Sequence, residues 1–250
     1  MHLSLNKSQF MAFAHRGGTE FAPENTYEAF SSAVEIGYKY LETDVHPNAD
    51  EKLMAFHDST LDRVTNYIGK IRDFTSQELK KIRVNDKFQI PFLEDLLDSF
   101  SQNYFSIDMK SDESVRPLIK VVKKMNAIDR VCFASFNQQR LDYVREEFNN
   151  KCITSMGPRE IVKTKLCSIF SIKHNVLPLI SSLPIKRYKI RLLNKRHIDF
   201  LKSLNIKVIA WTINDTNEIN RLIDLGVDGI MTDNISVLKE ILVKKNLWQQ

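Results

Sequence analysis

The chain has 250 residues, of which 43% are apolar, and carries a formal net charge of +5. Seven Gly, seven Pro and three Cys exclude collagen-like, low-complexity and disulfide-rich proteins, and the length allows one sizeable hydrophobic core. No stretch approaches the roughly 20 consecutive apolar residues of a membrane-spanning helix, and residues 1–9 do not resemble a secretory signal. We therefore expect a cytoplasmic protein with reduced cysteines and no membrane insertion.

Short apolar runs alternate with amphipathic helical patterns along the chain. The apolar runs predict eight strands, at 11–14, 40–45, 104–109, 130–134, 151–155, 175–180, 207–212 and 229–232. The helical patterns predict helices at 25–36, 114–125, 138–148, after Pro158, and at 195–204, 218–225 and 236–243. This alternation is typical of parallel strands with helical crossovers, and eight units indicate a (β/α)8 TIM barrel. A doubly wound open sheet is the main alternative.

The long connection between the second and third predicted strands departs from this alternation. Barrel loops are normally a few residues long, so we predict a small insertion at about 47–103 within a single domain spanning 1–250. The run 53–56 predicts a short strand and 91–100 a helix. Thr75 followed by Glu78 three residues later predicts a capping box at the start of another helix.

Two histidines follow predicted strands. His15 and Arg16 come directly after the first strand, and His57 follows the run 53–56. Catalytic residues of a barrel lie at the carboxyl ends of its strands, and histidine is the residue most often used for proton transfer near neutral pH. The two rings are therefore candidate proton carriers, with Arg16 as a cation beside them.

Three carboxylates are predicted to face the same site. Glu42 and Asp44 are two residues apart on the second strand and so share a face, as do Asp108 and Lys110 on the third. An oxygen-only ligand set favours Mg2+ or Ca2+ over zinc. The alternative is an ion-pair layer in which Lys110 and Arg16 neutralise the carboxylates without a metal. A divalent ion with two cations and two histidines would suit a phosphoryl reaction.

Two further features allow more than one interpretation. Glu24 precedes the first helix beside Asn25 and Thr26, where it could belong to a helix cap, orient His15 or support the metal site. A basic cluster could be a solvated face, attract an anionic substrate or lipid surface, or bind nucleic acid, although no nucleic-acid motif accompanies it. The cluster consists of Lys186, Arg187, Lys189, Arg191, Lys195 and Arg196.

Taken together in order, the motifs resemble those of the glycerophosphodiester phosphodiesterase family. The matching segments are His15-Arg16-Gly17, Pro23-Glu24-Asn25-Thr26, Glu42-x-Asp44, His57-Asp58, Leu61-Asp-Arg63-Val-Thr65, Phe92-Leu-Glu-Asp-Leu96, Asp108-x-Lys110, Trp211-Thr-Ile-Asn214 and Gly229-Ile-Met-Thr-Asp233. Each motif is weak alone, but their ordered combination is specific and covers nearly the whole chain.

The resemblance implies a TIM barrel with a small insertion, and hydrolysis of a glycerophosphodiester to glycerol 3-phosphate and an alcohol. It implies that His15 and His57 are the general acid and base. Glu42 and Asp44 become metal ligands, with Asp108 where the family usually has Glu, one methylene longer. That difference implies a shifted strand or metal, or a water in the gap.

The remaining site residues and alternatives also follow from the resemblance. Arg16 and Lys110 would contact the phosphate, and Trp211 would either form an apolar wall near the glycerol or pack inside the barrel. A substrate hydroxyl could attack phosphorus to give a cyclic phosphate, or water could attack directly. Other expected functions are a lysophospholipase D, with surface contact through the basic cluster at 186–196, or a non-catalytic barrel that binds anionic ligands. We expect a small-molecule substrate and no nucleic-acid partner.

Overall fold

The computed structural model describes residues 9–187 and 190–248. Its strands are β1 (Met11–Ala14), β2 (Tyr40–Pro47), β3 (Leu53–Ala55), β4 (Arg83–Val84), β5 (Phe88–Gln89), β6 (Tyr104–Met109), β7 (Val131–Ala134), β8 (Ile153–Thr154), β9 (Ile180–Pro184), β10 (Lys186–Arg187), β11 (Ile190–Arg191), β12 (Lys207–Trp211) and β13 (Gly229–Thr232). Its α-helices are α1 (Tyr27–Glu35), α2 (Ser76–Leu79), α3 (Leu93–Ser99), α4 (Val115–Lys124), α5 (Gln138–Glu147), α6 (Pro158–Phe170), α7 (Lys195–Ser203), α8 (Thr216–Leu225) and α9 (Ile235–Lys244). Within these ranges, none of the helices has the length and hydropathy needed to cross a bilayer.

Eight parallel strands form the predicted (β/α)8 barrel. They follow one another around it in the order β1, β2, β6, β7, β8, β9, β12 and β13. The first and last strands pair over four positions, from Met11 opposite Gly229 to Ala14 opposite Thr232. β8 and β9 meet only at the bridge between Ser155 and Ile180. Because the ends of the sheet meet, the open doubly wound alternative is wrong.

Side chains along each strand point alternately inward and outward. They form one core inside the barrel and another between the strands and the helices. Met11 and Phe13 of β1 pack with Tyr40 of β2 inside the barrel. Ala12 and Ala14 point outward into the layer between the strands and the helices, and their small side chains let that layer approach closely. Inward positions nearer the carboxyl ends of the strands are polar, so the barrel is apolar at one end and charged at the other.

The insertion after β2 has its own small core. β3 pairs antiparallel with β2, and β4 forms a hairpin with β5. The predicted capping box is confirmed at α2, where Thr75 accepts a hydrogen bond from the backbone of Glu78 and the Glu78 carboxylate accepts one from that of Thr75. Met54, Phe56 and Leu61 are among the buried side chains that hold the insertion against the barrel. The chain after β3 consequently reaches the barrel mouth.

The predicted sixth strand is wrong in position. It was expected at 175–180, but β9 spans Ile180–Pro184. Leu177 and Leu179 of the apolar run are exposed in a loop, whereas the inward residues of the true strand, Ser182 and Pro184, line the cavity at the barrel mouth. The strand therefore lacks the apolar run that predicts a buried strand. The hairpin of β10 and β11 was not predicted, and Lys189 of the predicted basic cluster lies outside the described residues.

Candidate active site

The turn after β1 presents His15 and Arg16 and is fixed against both neighbouring elements. Arg16 has a left-handed backbone with φ of 52°, and Gly17 follows with φ of 84°. Gly17 also lies close to α1, since a Cβ placed on it would be 2.9 Å from the Cβ of Ala29. The backbone N–H of Arg16 donates to Oε2 of Glu42 at 2.9 Å. The tight turn thus holds both side chains over the end of β2.

His15 is oriented by a carboxylate from the last strand. Its Nδ1 donates to Oδ1 of Asp233 at 2.7 Å, and Asn214 donates to the other Asp233 oxygen at 2.7 Å. The Nε2 atom of His15 lies 3.9 Å from Oε2 of Glu42. Burial opposes the charged ring, but the Asp233 hydrogen bond and the charge of Glu42 outweigh it and raise the pKa of His15. Nε2 is therefore the ring atom that faces the carboxylate cluster.

His57 has the same arrangement on the opposite side of the site. Its Nδ1 donates to Oδ1 of Asp58 at 2.7 Å, and Arg63 donates to the other Asp58 oxygen. Partial burial would raise the pKa of Asp58, but the hydrogen bonds from Arg63 and His57 lower it. Each histidine thus has its Nδ1 proton bound to a carboxylate, which fixes the tautomer and leaves Nε2 available as a proton acceptor.

The three predicted metal ligands lie together, and two cationic side chains form ion pairs with two of them. Asp44 and Asp108 are directly opposite each other on β2 and β6. Nζ of Lys110 lies 2.8 Å from Oδ1 of Asp44 and 2.8 Å from Oδ2 of Asp108, and Nε of Arg16 is 3.1 Å from Oδ2 of Asp44. Lys110 and Arg16 therefore form ion pairs with these carboxylates. In the described part of the chain, no group of three or more His, Cys, Asp or Glu side chains is arranged to hold a metal ion.

The pKa shifts of these carboxylates indicate that the cluster could bind a further positive charge. Burial and the neighbouring charge of Asp44 raise the pKa of Glu42. Burial would also raise the pKa of Asp44, but Lys110 and Arg16 outweigh it and lower that pKa. Burial raises the pKa of Asp108, whose Oδ1 is buried without a hydrogen-bond partner. An oxygen-only set with an orphaned buried oxygen fits a hard divalent ion.

Glu24 lies beside the arginines. It accepts a hydrogen bond from Nη1 of Arg16 at 2.9 Å and two more from Arg63. Burial would raise the pKa of Glu24, but the Arg63 hydrogen bond and the charge of Arg16 lower it. The ring partner of His15 is Asp233, so Glu24 instead links Arg16 to the Arg63–Asp58 pair that orients His57.

Two residues in the segment before α1, Asn25 and Thr26, have different structural roles. Thr26 is the N-cap, as its hydroxyl accepts a hydrogen bond from the backbone N–H of Ala29 at 3.3 Å. Asn25 is buried with φ of 57° and donates to Oδ2 of Asp44 at 3.1 Å. Its own oxygen accepts from the hydroxyl of Thr43 at 2.8 Å. Asn25 thus positions a site carboxylate, a role that the capping interpretation missed.

A cavity of about 480 Å3 opens from the charged cluster and has one apolar wall. Trp211 lines it, and its ring packs edge-on against Phe136 with centroids 5.7 Å apart. The wall continues through residues that follow β8 or lie on and just after β11, and they were not predicted as site residues: Met156, Pro158, Ile161, Val162, Ile190 and Leu192. The cavity therefore joins a polar, cation-rich end to an apolar groove.

Sequence reasoning missed the groups that orient the histidines. Asp58 directly follows His57, and Asp233 directly follows the last strand, so the strand-end rule could have supplied both roles. Arg63 and Phe136 carry no such signal, since their positions depend on how the insertion and the loop after β7 fold.

Comparisons with known proteins identify the family of this chain. The sequence profile of the Glycerophosphoryl diester phosphodiesterase family matches residues 15–237. A glycerophosphodiester phosphodiesterase from Caldanaerobacter subterraneus is 30% identical, covering 94% of this chain and 98% of the relative. A lysophospholipase D from Rattus norvegicus is 28% identical, covering 94% and 88%.

Solved structures share the fold. An Oleispira antarctica phosphodiesterase, solved in complex with the product sn-glycerol-3-phosphate, superimposes with a TM-score of 0.79 at 22% identity, covering 93% of this chain and 96% of that one. The family profile includes the described site from His15 to Asp233. The chain belongs to the glycerophosphoryl diester phosphodiesterase family.

Proposed function

We propose that this protein hydrolyses glycerophosphodiesters to glycerol 3-phosphate and an alcohol. The observation that carries the proposal is the pair of carboxylate-anchored histidines, His15 and His57, on either side of one cluster of cations and acids. The product named in the Oleispira antarctica complex is the product expected here. Such a pair suits a reaction in which one proton is removed and another is delivered.

His15 is the better candidate for the general acid. Burial lowers the pKa of His15, but the hydrogen bond to Asp233 and the charge of Glu42 outweigh it and raise that pKa, which stabilises the protonated ring that a general acid needs. His57 is the more exposed of the two, with 32% of its side chain accessible against 15% for His15. We assign it to removing the proton from the attacking hydroxyl, while His15 protonates the leaving alcohol.

The cations supply the complementary charge. Arg16 and Lys110 both line the cavity, and we assign them to contacts with the phosphate. Glu24 is a positioning residue, because it holds the guanidinium of Arg16 from the side away from Asp44. Trp211 and Phe136 form an apolar surface on which the carbon chain of glycerol can pack.

Glu42, Asp44 and Asp108 would hold a divalent ion, Mg2+ or Ca2+. A bound ion there supplies positive charge for the phosphate oxygens and lowers the pKa of a coordinated hydroxyl. The support is the oxygen-only donor set, the raised pKa of Glu42 and the orphaned Oδ1 of Asp108. A thermal shift on adding each ion, abolished by Glu42→Gln, would report binding without reference to turnover.

The test of the function is a panel of water-soluble glycerophosphodiesters assayed with each divalent ion. His15→Ala and His57→Ala should each lower kcat by at least about 10³-fold, because paired groups act as a unit. His174→Ala is the matched control, since this half-buried histidine packs against the ring of Phe200 and does not line the cavity. Turnover near that of the wild type in either site variant would contradict the assigned role.

A second candidate substrate is a lysophospholipid. The apolar groove beside the site favours it, because Ile161, Val162 and Leu192 could accept an acyl chain. A rat relative that is 28% identical to this chain is named lysophospholipase D. If an acyl chain uses the groove, Ile161→Asn should lower kcat/KM for lysophosphatidylcholine about tenfold more than for glycerophosphocholine. Equal effects on both substrates would exclude the groove as an acyl site.

A further inference from the structure

Helix α6 and the segment after it carry much of the exposed apolar surface. Among the described residues, eight of the fourteen exposed large apolar side chains fall between 158 and 203. On α6, Val162, Leu166, Ile169 and Phe170 share one helix face and are 46–71% exposed. Ile172 continues this exposed surface into the following loop. A contiguous apolar stripe in water indicates a partner.

The same segment is strongly basic. From the start of α6 to the end of α7, residues 158–203 contain eleven Lys and Arg and two acidic residues, a net charge of +9. The whole chain carries only +5, so the rest of the molecule is negative overall. Arg159 and Lys163 lie on α6 beside the stripe, and Lys173 follows it, all three exposed. Apolar and basic surface therefore coincide in one part of the fold.

We propose that this α6 face (Arg159, Val162, Lys163, Leu166, Ile169 and Phe170) docks on an anionic lipid surface. An apolar stripe flanked by Lys and Arg is the pattern of helices that lie in the membrane interface, and each cation near an anionic leaflet adds electrostatic attraction that salt screens. The stripe enters the acyl region while the flanking cations meet the lipid head groups.

Two other occupants, a second copy of the chain and a single-stranded nucleic acid, fit this face less well. In a symmetric dimer the same patch faces itself, so a second copy would set this basic surface against an identical basic surface. Single-stranded nucleic acid stacks its bases on aromatic side chains, whereas three of the four stripe residues on α6 are aliphatic. An anionic lipid surface is complementary to both properties of the face.

Docking would place the cavity beside the lipid. Val162 belongs to the α6 face and also lines the apolar groove of the site, and Ile190 of β11 is exposed and lines the same groove. Substrates that carry an acyl chain, or that are released at a membrane, would thus meet the open side of the cavity. The inference adds a location to the proposed reaction but does not depend on it, since vesicle binding is measured without turnover.

The test is co-sedimentation of the full chain with vesicles. Wild type should bind equimolar phosphatidylcholine–phosphatidylglycerol vesicles at least about tenfold more strongly than phosphatidylcholine alone, and added salt should weaken that binding. Leu166→Ser/Phe170→Ser should lower binding at least about tenfold through lost apolar contact. Ile68→Ser/Val243→Ser is the matched control, because it removes two exposed apolar side chains outside the α6 face.

Glycerophosphocholine turnover and melting temperature should be unchanged in both double variants, as neither touches the site. Absent turnover with intact vesicle binding would count against the reaction alone. Equal binding to both kinds of vesicle, or undiminished binding by Leu166→Ser/Phe170→Ser, would overturn the docking proposal. A dimer seen by analytical ultracentrifugation and abolished by the same variant would also overturn it, by assigning the face to a second copy.

Discussion

Each of the two site histidines has its imidazole ring held by a hydrogen-bonded carboxylate. His15 and His57 differ in exposure, yet each binds a carboxylate through Nδ1 at 2.7 Å. The carboxylates themselves are held in place, Asp233 by Asn214 and Asp58 by Arg63. A ring restrained in this way presents Nε2 with one orientation and one tautomer, which a proton transfer between fixed groups requires.

Asp233→Asn should lower kcat about 10–100-fold with no change in melting temperature. The amide cannot supply the negative charge that raises the pKa of His15, so that pKa should fall. If His15 is the general acid, the alkaline limb of the pH–rate profile should then move to lower pH. Asp62→Asn is the control, since Asp62 is exposed. An unmoved alkaline limb would contradict the role of His15 as acid.

His197 should make stability depend on pH. Burial lowers its pKa to about 4, and its Nδ1 donates to the oxygen of Leu192 at 3.0 Å. Because the unfolded ring titrates near pH 6.5, the unfolded state binds more protons between about pH 6.5 and 4, and stability should fall by roughly 2–3 kcal/mol as the pH drops through that range. Urea unfolding of His197→Asn, which keeps a donor but does not titrate, should lack this dependence.

Among the secondary-structure elements, the apolar runs of the sequence predicted the bounds of a strand correctly where that strand is buried on both faces. β1, β6 and β13 have the predicted bounds, because their neighbours bury both faces. β9 was missed because its inward side chains line a cavity instead of a packed layer. The strand-end rule located His15 and the three carboxylates, whereas the groove beyond Trp211 comes from loops that no local pattern encodes.

Gly229 should be one of the least replaceable residues of the barrel. A Cβ on it would lie 2.4 Å from the backbone oxygen of Met11, so Gly229→Ala must push β1 away from β13 and should cost about 2–3 kcal/mol. Gly226→Ala is the matched control, since its Cβ would meet only Lys202 at 3.9 Å. It should cost about 1 kcal/mol, from the left-handed φ of 89°. Urea unfolding of both variants checks the order, and equal losses would contradict the steric argument.

At the scale of the whole molecule, the barrel has one weak junction. β8 and β9 share a single bridge, while other neighbouring strands pair over two to six positions. The buried Arg145 compensates from outside the sheet, since it donates to both carboxylate oxygens of Glu160 and to the hydroxyl of Thr154. One guanidinium therefore ties α5, β8 and α6 together beside the junction.

Arg145→Met should destabilise the protein by about 3 kcal/mol or more, because it leaves the largely buried Glu160 without a counter-charge. Arg145→Met/Glu160→Gln should recover much of that loss, since the amide oxygen can still accept from the backbone N–H of Gly157. Urea unfolding of the two variants measures the difference. A double variant no more stable than Arg145→Met would show that the guanidinium acts through packing alone.

The hydrogen bond between His15 and Asp233 joins residues 218 positions apart. During translation, the ring near the start of the chain has no orienting carboxylate until the last barrel strand has left the ribosome and paired with β1. A nascent or proteolytically shortened chain ending before Asp233 would hold most of the site residues yet leave His15 unanchored. The ability to turn over substrate would thus emerge late and abruptly during synthesis.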